Sequence, residues 1–216
     1  TFSDGTKKKV GTIGDVGTTS FFPSKNLGCY GDGGAIMTNN DELAHVLRGI
    51  VNHGMYQRDY HDVVGVNSRL DSLQAAILDI KLPHLEDYNK KRREAARYYN
   101  RGFKNNPNIV TPTTQKCGEI CDTCDCHVFH QYTLQITNGK RDALHQHLNE
   151  LQIPNAIYYP VALHKQKAYE DDRYKESDFV VTNELVKTVI SLPMHTELEK
   201  EQQDYIIKTI LDFVGA

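Results

Sequence analysis

The sequence predicts a two-part α/β chain with a boundary near residue 88. Three observations carry this reading. Stretches rich in β-branched and aromatic residues at 16–22, and the shorter Ala-Ile-Met-Thr run at 35–38, flank the turn Gly31-Asp-Gly-Gly34 and read as two strands. Apolar residues then recur at helical spacing, first as Leu43, Val46, Leu47 and Ile50, then as Leu70, Leu73, Ile77 and Ile80. After Pro107 the texture alternates strand and helix to the end of the chain.

Each element has a local reason. Asn40 and Asp41 offer an N-cap to the first helix, because a short polar side chain accepts from the free amides of the first turn. Residues 52–69 are polar, with glycines and histidines and little periodicity, so they read as a long functional loop. Pro83 interrupts the helix over 70–80, and a second helix is expected over 87–103. Its run Lys90, Lys91, Arg92, Arg93 reads as a solvated basic face. Strands follow at 132–136, 155–159 and 188–192, with helices at 141–151, 178–187 and 199–214. Two strands and a long loop cannot build a sheet core alone, so residues 1–88 read as the end of a larger domain. Residues 89–216 read as a self-contained α+β unit.

Bulk properties exclude several classes. With 39% hydrophobic and 25% charged residues the composition is that of a globular chain, not a disordered or fibrous one. The net charge of −3 gives no basic excess for a nucleic-acid partner. No apolar run approaches the roughly 18 residues of a membrane span, and the start Thr1-Phe-Ser-Asp-Gly has no signal-peptide shape. A cytoplasmic location is expected. Four of the five cysteines crowd into Cys117, Cys121, Cys124 and Cys126, unlike a dispersed disulfide framework, which suits a reducing compartment. The same cluster, followed by His127 and His130, lacks the separated Cys pairs of structural zinc sites. It reads as a loop insertion with no metal assigned, and a metal-binding cysteine cluster is the alternative.

The densest chemistry lies in Ser20-Phe-Phe-Pro-Ser-Lys25-Asn-Leu-Gly-Cys-Tyr-Gly-Asp-Gly-Gly34. Lys25 follows a strand end among small residues. Its alternatives are a turn lysine pointing to water, or a Schiff-base lysine whose ε-amine condenses with a cofactor aldehyde and shuttles a proton. Ser20 offers a hydroxyl to a phosphate or bonds a neighbouring carbonyl.

This stretch resembles the cofactor-lysine segment of the DegT/DnrJ/EryC1/StrS sugar aminotransferases. The likeness continues through Asn52-His-Gly54, Gly65-Val-Asn-Ser-Arg-Leu-Asp-Ser-Leu-Gln-Ala-Ala76, Phe129-His-Gln-Tyr132, Tyr158-Tyr-Pro160, Leu163-His164 and Ser191-Leu-Pro-Met-His195. The resemblance implies a fold-type-I architecture: the end of a large mixed α/β, cofactor-binding domain over 1–88 and a small α+β domain over 89–216. It implies pyridoxal 5'-phosphate as cofactor and a homodimer with shared active sites. It further implies transfer of an amino group from glutamate to a nucleotide-diphosphate keto sugar in polysaccharide biosynthesis; the wording is closest to UDP-linked 3-oxo-sugar members.

Carried over by position, Lys25 is the Schiff-base lysine and general acid/base, and Ser20 binds the cofactor phosphate. Asn67 reaches the phosphate in the partner's site, and Arg69 meets the nucleotide-sugar anion across the dimer. An alternative pairs Arg69 with Asp71. Tyr158 and Tyr159 occupy the positions of a substrate-facing pair, of which strand alternation would send one inward. His164 contacts substrate or holds its loop. The family's Asp-x-x-Gln motif has no counterpart here, since Asp4, Asp15 and Asp32 do not match it. The chain therefore reads as a fragment, expected to be inactive alone. Relatives that act as pyridoxamine-dependent dehydratases carry histidine in place of the lysine, and Lys25 argues against that activity. The rival from another class is a non-catalytic interaction or regulatory module that retains the fold.

Overall fold

The computed structural model describes residue 6, residues 8–113 and residues 126–215. The chain divides into two compact units, Thr1–Glu86 and Asp87–Ala216.

In the first unit β1 (Gly17–Ser20) pairs antiparallel with β2 (Gly34–Met37), Ser20 opposite Gly34. β1 is shorter than the expected 16–22, and β2 has the expected length but begins one residue earlier. The ladder stops because Pro23 has no N–H and the chain turns back on itself, with the Lys25 amide donating to the Phe22 carbonyl at 2.9 Å. Helix α1 (Asp41–Val51) starts where the capping rule places it, the Asn40 side chain accepting from the Leu43 amide at 2.9 Å. Asp41 and Glu42 in its first turn suit the positive end of the helix dipole.

Residues 52–69 are not a structureless loop. They contain a small hairpin, β3 (Met55–Gln57) with β4 (Tyr60–His61), turned at Asp59 with φ of 68°. The Tyr56 ring stacks on His45 at 4.6 Å and lies against Gly49, where a Cβ would come within 2.3 Å of it. Helix α2 (Ser72–Lys81) passes through a 3-10 turn, Leu82–His84, into α3 (Leu85–Phe103). Pro83 is tolerated because it sits in the first turn of that segment, where its missing N–H has no partner to lose. The apolar face expected on α2 is not buried within this chain: Leu73 and Ile80 are each 70% exposed, and Leu78 is the buried residue.

The second unit is built on an antiparallel sheet in the order β5 (Ile109–Val110), β6 (Tyr132–Ile136), β7 (Val189–Leu192). Tyr132, Leu134 and Ile136 alternate inward along β6, as a half-buried strand requires. They meet Ala96, Tyr99 and Phe103 of α3, Leu144 and Leu148 of α4 (Arg141–Glu150), and Ile206, Ile210 and Val214 of α6 (Lys200–Val214). The two buried phenols have partners: Tyr99 donates to the Pro193 carbonyl at 3.2 Å and Tyr132 to Asn100 Oδ1 at 2.6 Å. Burial pushes both phenol pKa values well above the ordinary range.

Three expectations are corrected here. Arg92 and Arg93 are buried, not solvated, because helical phase puts position 92 on the face of Ala96 and Tyr99. Arg92 Nη1 donates to the carbonyls of Phe129, His130 and Met194 at 3.1–3.3 Å, and burial lowers its pKa. Residues 155–159 form no strand. Only Ala156 bridges to Ser191, since Pro154 and Pro160 bracket the segment and withhold ladder donors. The helix expected at 178–187 is α5 (Val180–Thr188), reached through a 3-10 segment Glu176–Phe179. Among the described residues no helix is long and apolar enough to cross a membrane.

Leu134 is 1% exposed at the centre of this core. Leu134→Ala is expected to destabilise the unit by about 2–5 kcal/mol through lost burial and a residual cavity. Val180→Ala, at a side chain 69% exposed, should cost no more than about 0.5 kcal/mol. Chemical denaturation of the two variants checks the contrast.

Candidate active site

The Lys25 segment is rooted by its backbone. Phe21 donates its N–H to the Gly33 carbonyl at 2.7 Å and accepts the Cys29 N–H at 2.8 Å. Cys29 is fully buried, its Sγ 3.0 Å from the carbonyls of both Phe21 and Gly31. Between these anchors the chain folds tightly enough that a Cβ on Gly28 would lie 2.6 Å from the Pro23 carbonyl oxygen. Lys25 is half-buried on this turn. Ser20, exposed at the end of β1, accepts the Phe22 N–H on its Oγ at 3.2 Å. This leaves the hydroxyl proton available to a ligand, and the local partner is an amide rather than a carbonyl.

A second group gathers at the end of the 52–69 segment. Asn67 bridges to Asn52, and the Ser68 amide donates to the Val51 carbonyl at 2.9 Å. The Val66 amide donates to the Ile50 carbonyl at 2.8 Å, and the His53 amide donates to the Val66 carbonyl at 3.0 Å. Gly54, at φ of 76°, permits the fold-back: a Cβ there would meet the Val63 oxygen at 1.7 Å. An open groove of about 970 Å³ runs past Thr18, Thr19, Asp32, Arg48, Asn67 and Arg69, among others. Its charged lining residues are Arg48, Arg69 and Asp32, a balance of one positive charge that favours an anion. Ser20 and Lys25 do not line this groove. Among the described residues no ion pair joins Arg69 to Asp71. Arg48 was not singled out from sequence; its place in the last turn of α1 is the signal that marks it.

In the second unit Tyr158 and Tyr159 are both exposed, their rings edge-to-face at 5.5 Å. They stand on irregular chain, so the one-in, one-out alternation expected of a strand does not apply. His164 lies in the 3-10 turn Leu163–Lys165, its ring stacked on Phe179 at 4.0 Å and its Nε2 3.5 Å from Glu176 Oε2. The Lys165 ammonium, 2.6 Å from Glu176 Oε1, holds that carboxyl below its usual range. The pairing is thus present above the ordinary carboxylate pKa and is lost as pH falls through the depressed one. Cys117, Cys121 and Cys124 lie outside the described residues, and Cys126 is exposed. Among the described residues no group of His, Cys, Asp or Glu could hold a metal ion.

Residues 2–211 match the DegT/DnrJ/EryC1/StrS aminotransferase family. The chain belongs to this family. Among curated relatives it is 44% identical over 208 residues to a pleiotropic regulatory protein of Geobacillus stearothermophilus, covering 95% of this chain and 54% of that protein. It is 43% identical over 193 residues to a UDP-N-acetyl-3-dehydro-alpha-D-glucosamine 3-aminotransferase of Acidithiobacillus ferrooxidans, covering 89% and 49% respectively. A solved structure, S. venezuelae DesV in complex with a ketimine intermediate, superposes with a TM-score of 0.81 at 36% identity, covering 94% of this chain and 53% of that one. The DegT-family chain described here thus spans about half the length of the curated relatives it matches, and it has their mixed α/β fold.

The Gly54 geometry makes a prediction. Gly139 has a similar positive φ of 77° but nothing within 4 Å of an added Cβ. Gly139→Ala should therefore cost only the roughly 1–2 kcal/mol of left-handed strain. Gly54→Ala should lower the melting temperature further and release the Ser68 amide from hydrogen-exchange protection. Thermal unfolding with amide exchange checks both.

Proposed function

We propose that this DegT-family chain is the C-terminal portion of a pyridoxal-phosphate-dependent aminotransferase that converts a ketone on a nucleotide-diphosphate sugar to an amine. The observation that carries the reading is the half-buried Lys25, held on a backbone-pinned turn five residues after the Ser20 hydroxyl. On this reading residues 1–88 complete the large domain and residues 89–216 are the small domain. The donor set suits the group: an amine for an aldehyde, a hydroxyl and the Asn67 amide for a phosphate, and the Arg69 guanidinium for the sugar nucleotide's diphosphate. No residue of the described chain is assigned to the ring nitrogen. When bound, the cofactor supplies the electron sink for the carbanion formed during transfer.

Within that chemistry Lys25 Nζ would hold the cofactor and, as a free amine, would serve as the acid/base that moves a proton between carbons. Ser20 Oγ holds the phosphate end. Asn67 and Arg69 act across a homodimer, at the phosphate and the sugar nucleotide of the partner's site, while Tyr158, Tyr159 and His164 orient substrate. Glutamate is the donor, and the acceptor is a UDP-linked 3-oxo sugar destined for surface polysaccharide, in the cytoplasm. The sugar assignment is supported by the 43% identity to the relative named as a UDP-sugar 3-aminotransferase. A second reading, a regulatory module that keeps the fold, draws on the relative named as a pleiotropic regulatory protein.

Two experiments test the reading in the complete enzyme. Lys25→Ala should lower amino-sugar formation by on the order of 10³-fold or more, because anchor and proton shuttle go together. Borohydride reduction of the wild type should fix the cofactor on Lys25. Reduction at another residue, or none, would favour the regulatory module. For the shared site, mixing inactive Lys25→Ala and Arg69→Ala proteins should restore activity, since some mixed dimers carry one site with both residues intact. If subunits exchange and no activity returns, Arg69 does not act across the dimer.

A further inference from the structure

We propose that Gln74 and Lys81 of α2 are positioning residues for Lys25, acting through the segment 28–31. This rests on the assignment of Lys25 as the cofactor lysine. Gln74 and Lys81 are seven positions apart, two helical turns, and so share one face of α2 to within about 20°. That face grips the chain on both sides of the buried Cys29. Gln74 Oε1 accepts the Tyr30 N–H at 2.8 Å, and Lys81 Nζ donates to the Gly28 carbonyl while sitting 5.8 Å from the centre of the Tyr30 ring. The Gln74 amide also covers Gly31, where a Cβ would meet its Nε2 at 3.1 Å.

These peptide groups belong to no strand, so α2 supplies partners that no ladder can. The grip reaches Lys25 because the turn has no slack. Gly28 packs directly on the carbonyls of Phe22 and Pro23, and the Phe22 carbonyl accepts the Lys25 amide. A displacement of residue 28 therefore moves the base from which the Lys25 side chain extends. Residues 67–69 lead directly into the same helix, so α2 also sets the lysine turn relative to Asn67 and Arg69. A misplacement near 1 Å in a reacting group can cost up to about a hundredfold in rate. Neither Gln74 nor Lys81 needs to touch substrate to produce such a loss.

The test uses the full-length, cofactor-loaded enzyme with Gln74→Leu, Gln74→Glu, Lys81→Met and Lys81→Arg. Gln74→Glu keeps the acceptor and Lys81→Arg keeps the donor. Leu and Met are expected to lower kcat by roughly ten- to a hundredfold with KM changed by less than about twofold. They should also shift the pH midpoint of the bound cofactor's absorbance, measured without substrate, while Glu and Arg return both readouts toward wild type. Leu and Met variants that melt earlier but keep wild-type kcat and absorbance midpoint would make the two side chains merely structural and overturn the proposal. So would equal losses in the conservative and the disruptive variants. If Gln74→Leu does not fold, the Lys81 pair, whose aliphatic stem is preserved in Met, carries the same comparison. Borohydride labelling separates the failures: an unlabelled Lys25 in the wild type sinks the cofactor assignment, whereas a labelled Lys25 with unaffected variants sinks only the positioning role.

Discussion

Phe21 donates its own N–H to Gly33 and accepts the Cys29 amide on its carbonyl, with the Cys29 sulfur at the same oxygen. The geometry of the candidate active site in the first unit hangs on this closure. Without it the connection between β1 and β2 would be a long loop with the usual freedom of a surface lysine. With it, the turn around Lys25 is short and its backbone folds back on the residues that follow β1. A buried thiol suits the place because it is small enough to sit between two carbonyls and still offers a weak donor. Gly28 and Gly33 are tied to the same closure, since side chains there would meet the Pro23 carbonyl and the Cys29 sulfur respectively.

The two units handle buried polar groups differently. In the second, Arg92 reaches three carbonyls on two connections, so one cation supports chain that no strand or helix stabilises. A buried guanidinium is tolerated where carbonyls accept its donors; here Arg92 Nη1 is matched in this way, while its buried Nε has no hydrogen-bond partner among the described residues. Arg141 donates to the carbonyls of Val186 and Val189 around the end of α5 and, unlike Arg92, also pairs through its Nε with the exposed Asp142 carboxylate at 2.6 Å. In the first unit the polar work is done by backbone and by half-buried side chains of α2. Exposed apolar residues such as Leu73 and Ile80 remain on that helix. The second unit has a closed core of interdigitating aromatic and aliphatic side chains; the first has strands, a hairpin and helices with little buried between them.

Local physics alone made most elements legible. The Asn40 cap, the strand at 132–136 and the closing helix over 199–214 each follow from residue types at short spacing, so sequence was enough. The family resemblance, carried by long ordered blocks from Ser20 to His195, marked Lys25, Ser20, Asn67 and Arg69 as candidates. What sequence could not decide was set by contacts distant along the chain. Arg92 is charged, and only the helical phase of α3 against the 129–130 connection makes it a buried donor. Residues 155–159 have strand-forming side chains, yet the prolines at either end leave one bridge to Ser191. The 52–69 segment looks featureless because its hairpin depends on a left-handed Asp59 and on Tyr56 packing over Gly49. The grip of Gln74 and Lys81 on residues 28 and 30 joins positions more than forty residues apart. Spacing within a helix shows that two side chains share a face, but only the folded chain determines which backbone groups that face meets.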